Sequence, residues 1–228
     1  MALALLLICV PAAAQDSTVT GRALVVGGAA RSSDSENAVV WLEPIGSPKS
    51  VRPLLQRPRL TQKNKHFKPH LLVVPTGTDV DFPNLDPFFH NVFSLFDGRR
   101  FDLGLYEAGE SRTVRFSLPG VSYIFCNIHP QMGAVVIALD TPYYAVSTHN
   151  GRFLINHVPP GRYVLKAWYE GSSPDSLARL SREIVVSSTP QTSIGDLRIV
   201  QDQPALAHKN KYGADYDSSQ PAAPYERQ

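Results

Sequence analysis

The chain has 228 residues, a formal net charge of +2, and 43% hydrophobic and 18% charged residues. That length suits one or two globular domains with adequate cores, and the near-balanced charge excludes a bulk electrostatic attraction to nucleic acid. The 19 prolines and 15 glycines, set among many Val, Thr and Tyr, favour many short strands over long helices.

The opening run MALALLLICVPAAAQ reads as a secretory signal over residues 1–14. An apolar core from Ala2 to Val10 precedes the small residues Ala12, Ala13 and Ala14, although a positive segment before it is missing. The expectation is an exported, periplasmic or otherwise extracytoplasmic protein. The apolar run is too short to span a bilayer, and no later stretch is long and apolar enough to do so. Without residues 1–14, Cys126 is the only cysteine left. Such a chain has no internal disulfide, and a lone exported thiol tends to oxidise unless something occupies it.

Two strands are predicted near the start, Val19 to Val26 and Ala38 to Leu42, as a hairpin loosely connected by Gly27, Gly28 and a polar run. Residues 46–62 are rich in Pro, Arg and Gln and read as a linker or surface loop. Arg52, Arg57 and Arg59, with Lys63, Lys65 and Lys68 beyond, make this region a solvated basic loop or a docking patch for an acidic redox partner. From Phe67 the pattern becomes compact β structure. Leu71 to Val74 is a strand, and in Thr78 to Phe82 the alternation puts Val80 and Phe82 on one face and two aspartates on the other. Phe101 to Tyr106, Arg112 to Phe116, Val121 to Phe125 and Gly133 to Leu139 follow. Some seven strands in about 75 residues predict a small antiparallel sandwich or barrel. Beyond Asp140 a second unit begins. Asn150-Gly151 signals a hairpin, and strands are expected at Arg152 to Ile155, Arg162 to Trp168, Glu183 to Val186 and Ile194 to Val200, with a helical turn within 172–181. Residues 201–228 have little to bury and read as a disordered tail.

The chemistry concentrates in Ser117 to Leu139, SLPGVSYIFCNIHPQMGAVVIAL. Cys126, His129 and Met132 stand at C-x2-H-x2-M spacing in a short loop between two strands. His90, in Phe88-Phe89-His90-Asn91-Val92, is the obvious second imidazole. Two imidazoles, one thiolate and a weak axial thioether form the donor set that holds copper for electron transfer. One structural zinc competes for such residues, but a structural zinc site would normally lack Met. A nucleophilic Cys126 with His129 as base is the other chemical alternative, and no oxyanion or substrate-binding motif accompanies it. His66 and His70 fall outside the ligand pattern and read as structural or surface residues. His149, His157 and His208 have no evident partner.

Val80-x-Phe82-x-Asn84-x-Asp86, His90-Asn91-Val92, Pro119-Gly120 and Cys126-x2-His129-x2-Met132-Gly133 resemble the cupredoxins of the plastocyanin and amicyanin type. The short Cys-to-Met loop is similar to that of amicyanin, and the fuller run resembles exported bacterial proteins labelled methylamine-utilisation or plastocyanin-like. The resemblance covers about residues 63–140. It implies a Greek-key β-sandwich binding one type-1 copper ion through His90, Cys126, His129 and Met132. It also implies single-electron transfer between redox protein partners without substrate turnover, hence no enzyme. On that likeness Asn91 should brace the ligand loops and offer its backbone to the Cys126 sulfur, Asn84 should tie its loop, and His129 should be the solvent-edge ligand. Gly151-x-Phe153-x-Ile155-x2-Val158-Pro159-Pro160-Gly161-x-Tyr163-x-Leu165 looks like the second half of a carboxypeptidase-regulatory-like, transthyretin-like β-sandwich. Thr20-Gly21-Arg22-Ala23 with Ala38 to Leu42 resembles its first half. The expected architecture is therefore all-β: a smaller sandwich split as 17–45 and 141–200, with the cupredoxin unit, 63–140, inserted. Two other functions stay open at this stage, an exported β-sandwich binding or assembly module and a copper delivery or storage protein.

Overall fold

The structure, a computed structural model, describes residues 15–27, 35–46, 51–95, 98–203 and 208–216. The expected signal segment lies outside the described residues. The chain is all-β with several sheets. Its strands are β1 (Ser17–Val26), β2 (Val39–Pro44), β3 (Thr61–Lys63), β4 (His66–Lys68), β5 (Leu71–Pro75), β6 (Thr78–Pro83), β7 (His90–Ser94), β8 (Phe101–Tyr106), β9 (Ser111–Phe116), β10 (Gly120–Cys126), β11 (Gly133–Leu139), β12 (Tyr144–Val146), β13 (Arg152–Val158), β14 (Gly161–Trp168), β15 (Arg182–Val186) and β16 (Gln191–Val200). One five-residue helix, α1 (Pro174–Ala178), falls where the helical turn is expected. No helix among the described residues is long and apolar enough to cross a membrane.

The chain forms two compact units, each discontinuous in sequence. The first takes residues from Met1–Ile45, Tyr143–Tyr169 and Pro174–Val200. It has two sheets, ordered β13-β1-β16 and β12-β2-β14-β15. Alternating residues of β1 (Val19, Ala23, Val25), of β13 (Phe153, Ile155) and of β14 (Tyr163, Leu165) enter one core with Val40, Leu42, Leu197 and Ile199, as period-2 patterning requires. β1 runs parallel to β16, a pairing that no hairpin signal announces. Asn150-Gly151 makes a tight turn, with the Gly151 N–H donating to the Thr148 carbonyl at 2.7 Å. The strands it joins pair elsewhere, β12 with β2 and β13 with β1. Gly151 has φ +77°, and a Cβ there would stand 2.1 Å from the Ala23 carbonyl oxygen, so the position admits only glycine.

The second unit takes residues from Gly46–Pro142, Glu170–Ser173 and Gln201–Gln228. Its main sheet is ordered β5-β11-β10-β7-β8, with β6-β9 and β3-β4 as two-stranded partners. Val80, Phe82, Val92, Val114, Phe116, Ile124, Val136 and Tyr106 share its core. On the outer face of β6, Asp79 is paired with Arg115 at 2.9 Å and Asp81 accepts from the Thr113 hydroxyl at 2.7 Å.

The predicted hairpin of β1 and β2 does not form: β1 pairs with β13 and β16, and β2 with β12 and β14. The second unit departs from the sequence-based expectation in three further places. The sandwich is not purely antiparallel, because β5 and β11 run parallel. The predicted linker, 46–62, ends early: Leu60 and Gln62 are fully buried, and Arg59 and Gln62 bridge in parallel to Asp81 and Asn84. Lys63 and Lys65 therefore belong to an ordered hairpin, and Arg57 lies 3.7 Å from Asp81. The predicted tail is also ordered in part: residues 208–216 are bonded to the second unit.

Candidate metal centre

Two neighbouring strands bring the distant residues together. β10 pairs antiparallel with β7 so that Cys126 stands opposite Val92. Cross-strand partners share a face, and so do residues two apart on one strand. His90 is therefore on the face of Cys126, one step toward the sheet end at which β10 stops. From there the chain runs through Asn127–Gln131 and returns as β11, with Phe125 opposite Gly133. A Met132 N–H to His129 carbonyl bond of 3.0 Å and a Cys126 N–H to Met132 carbonyl bond of 3.3 Å close the loop.

The outcome is a group of His90, Cys126 and His129 whose candidate ligand atoms all lie within 4.8 Å of one another. Each imidazole Nδ1 is 3.6 Å from the Cys126 Sγ. His90, Cys126 and Met132 are fully buried, and His129 keeps 7% exposure, which makes it the more accessible imidazole. Met132 packs in the same core cluster as Cys126. The two imidazoles meet edge to face at 4.9 Å, and the Phe88 ring contacts both, at 5.3 Å from His90 and 5.5 Å from His129. Lys65 lies over that ring, 5.6 Å from its centroid.

Surrounding groups fix the donors. His90 Nε2 is 2.9 Å from Asp86 Oδ2. The Asp86 carboxylate also accepts the N–H groups of Asn64 at 2.5 Å and Lys65 at 2.9 Å. With Nε2 carrying the proton toward Asp86, Nδ1 presents its lone pair toward the sulfur, the orientation a metal ligand needs. Burial alone would raise the Asp86 carboxyl, but the Lys65, His90 and Asn64 donors outweigh it and hold it low. Burial pushes the Cys126 thiol up, opposed by the backbone N–H groups of Ile128, Asn91 and His129. A nucleophile would need the opposite shift.

Asn91 meets its expected role through its backbone. Its N–H faces the sulfur, its carbonyl accepts the Asn127 N–H at 2.9 Å, and its side-chain amide donates instead to Asp102 at 2.6 Å. Asn84 ties the loop before His90, donating to the Phe88 carbonyl at 2.8 Å and accepting the Asp86 N–H at 3.0 Å. His70 is bonded to Glu170 at 2.8 Å and to the Gly133 carbonyl at 3.2 Å. His208, without a partner in the sequence reading, stacks on Phe125 with ring centroids 3.9 Å apart. The signal available for it was the His208, Tyr212, Tyr216 spacing within an otherwise polar stretch.

Burial, with further lowering by the nearby His90 and Lys65 charges, brings the His129 imidazole down to about 4, and burial also lowers His90. The unfolded chain takes up a proton on each near 6.5, where the folded chain does not. The metal-free protein should thus hold its full stability above pH 6.5. It should lose stability as pH falls below 6.5, by at most about 1.4 kcal/mol per pH unit for each ring, a loss that for His129 continues down to about 4. Urea unfolding of metal-free protein at pH 7 and pH 4.5 measures this, and equal midpoints would mean that water reaches both rings.

No protein-family model and no curated protein matches this chain. Solved structures similar to it include a purple cupredoxin from Nitrosopumilus maritimus, at 22% identity over 36% of this chain and 99% of that one, with a TM-score of 0.33. An amicyanin is similar at 17% identity over 44% of this chain and 98% of that one, with a TM-score of 0.35. A copper-containing nitrite reductase from Thermus scotoductus is similar at 22% identity and a TM-score of 0.35, over 51% of this chain but only 28% of the reductase.

Proposed function

We propose that the chain is an exported type-1 copper protein that carries single electrons between redox proteins and turns over no substrate. The observation that carries this reading is the buried group of one thiol and two imidazoles, with donor atoms within 4.8 Å of one another. In it His90, Cys126 and His129 would hold one copper ion, and Met132 would add a weak thioether donor. Bound copper supplies a one-electron couple that neither the thiol nor the imidazoles possess. The mixed nitrogen and sulfur set tolerates both of its oxidation states. What the chain contributes is rigidity: two paired strands and a hydrogen-bonded loop keep the donors in place through the electron's arrival and departure. A delivery or storage protein needs ligands that open, and full burial of three of the four donors favours a carrier instead. The first unit, with core strands at both ends of the sequence, is proposed as the carboxypeptidase-regulatory-like sandwich that accommodates the copper unit as an insertion.

Adding copper(II) to the metal-free protein should produce an intense visible band and a reversible one-electron midpoint potential. Copper taken up without either would remove the carrier reading in favour of a binding or storage module. Met132→Leu should keep the copper and raise the potential, because loss of the axial donor favours copper(I). The rise is about 59 mV for each tenfold change in relative affinity. An unchanged potential would show that Met132 is not a ligand.

A further inference from the structure

The ordered segment 208–216 makes a set of contacts that the proposed electron carrier does not account for, most of them directed at β10 and the loop that follows it. The Tyr216 hydroxyl donates to the carbonyl of Cys126 itself at 2.7 Å. His208 Nε2 bonds the Pro130 carbonyl at 2.8 Å, on the far side of His129. The Lys211 N–H donates to Asn127 Oδ1 at 2.9 Å. These three bonds grip the loop at its first, second and fifth residues. The imidazole of His208 stacks on Phe125, the residue before Cys126, and its Nδ1 lies 3.1 Å from the Tyr216 oxygen. A fourth bond reaches β8, the neighbour of the strand of His90: Lys211 Nζ donates to Asp102 Oδ2 at 2.7 Å, and Asp102 Oδ1 in turn accepts from Asn91 on β7.

We propose that residues 208–216 are a clasp that holds the Cys126–Met132 loop in its ligand-presenting shape, with Tyr216 and His208 as its positioning residues. The loop's own backbone bonds, Asn127 N–H to Asn91, Met132 N–H to His129 and Cys126 N–H to Met132, leave the Cys126 and Pro130 carbonyls to Tyr216 and His208. Asn127, Ile128, Pro130 and Gln131 are only half-buried. Each carbonyl is one peptide unit from a donor side chain. A swing of either peptide moves Cys126 Sγ or His129 Nδ1 out of the 3.6 Å arrangement. The clasp comes from a part of the chain some 80 residues beyond the loop, so the geometry of the centre depends on a segment that none of its own spacing reveals. The Tyr216 and His208 bonds go to backbone carbonyls, which lets them act whether or not a metal is held.

The clasp rests on the proposed function only for the identity of the metal, so the first test is made on the full-length, metal-free protein. Tyr216→Phe keeps the ring and removes the donor. Amide exchange at residues 127–129 and 131 should then quicken about tenfold, the factor expected for one hydrogen bond, while the global unfolding midpoint moves little. His208→Ala should act likewise, and His208→Gln, which keeps a donor for the Pro130 carbonyl, should restore slow exchange. In copper-loaded protein Tyr216→Phe should shift the visible band and speed copper release about tenfold. Unchanged exchange at those amides in both Tyr216→Phe and His208→Ala would overturn the clasp. Quickened exchange in a protein that takes up no copper would leave the clasp standing and defeat the carrier reading alone.

Discussion

Cys126→Ser should abolish the visible band entirely and weaken copper(II) binding by more than the 10–100-fold that outer hydrogen-bond partners of a metal site are worth. The sulfur is fully buried and is approached by two imidazole nitrogens at 3.6 Å and three backbone N–H groups. In the metal-free protein burial favours the neutral thiol. A cation at that point reverses the preference, because a coordinated thiol is deprotonated outright, and the three N–H groups then face an anion they are placed to receive. Serine is nearly isosteric with cysteine, and its hydroxyl accepts the same N–H donors. It does not ionise to an alkoxide under these conditions and has no polarisable sulfur orbital to share with copper. The variant therefore separates chemistry from folding. Its metal-free unfolding midpoint should stay close to that of the parent, while titration with copper(II) shows no band. A strong band that survives the substitution would place copper elsewhere on the protein and leave the centre without a function.

The part of this centre that the sequence discloses is the part carried by spacing. C-x2-H-x2-M lies within one loop, and the apolar runs on either side of it mark β10 and β11 plainly. His90 could be added as the imidazole in the apolar run Phe88-Phe89-His90-Asn91-Val92, although its strand, β7, is not among those predicted. That β7 and β10 are adjacent follows from neither run alone, and the Cys126–Val92 register is what makes the pairing work. Elements that escaped notice have physical reasons to be inconspicuous. β3, β4 and β12 are three residues long, too short to show a period of two. The hairpin of β3 and β4 lies in a basic stretch and is held by backbone bonds to Asp86 and by parallel bridges to β6, none of which composition records. The parallel pairing of β5 with β11 joins strands about 60 residues apart, and no turn chemistry announces it. Residues 208–216 look like solvated tail because they bury little apolar surface. Their attachment runs through polar atoms on carbonyls, and a carbonyl is present at every position of every sequence.

Asp86→Asn should lower copper(II) affinity 10–100-fold and raise the midpoint potential. Asp86 is the one acid placed on a donor side chain: its Oδ2 is 2.9 Å from His90 Nε2, and its two backbone donors, Asn64 and Lys65, keep it from turning away. Two consequences follow from replacing the carboxylate by an amide. The negative charge next to the His90 ring disappears, so the ring becomes a poorer donor and copper(II), the more highly charged state, loses more than copper(I). Every tenfold difference in that loss is about 59 mV of potential. The amide also brings its own NH2 group into a pocket lined by N–H donors. Whichever way it turns, either His90 or the Asn64–Lys65 turn faces a donor instead of an acceptor, a mismatch that costs about 1–3 kcal/mol. Chelator competition and voltammetry on the copper-loaded variant measure the first pair of effects, and unfolding of the metal-free variant measures the last. If affinity and potential both hold while stability falls, Asp86 serves only the 64–65 turn, and the orientation of His90 must come from Asn84 and the Phe88 ring packed beside it.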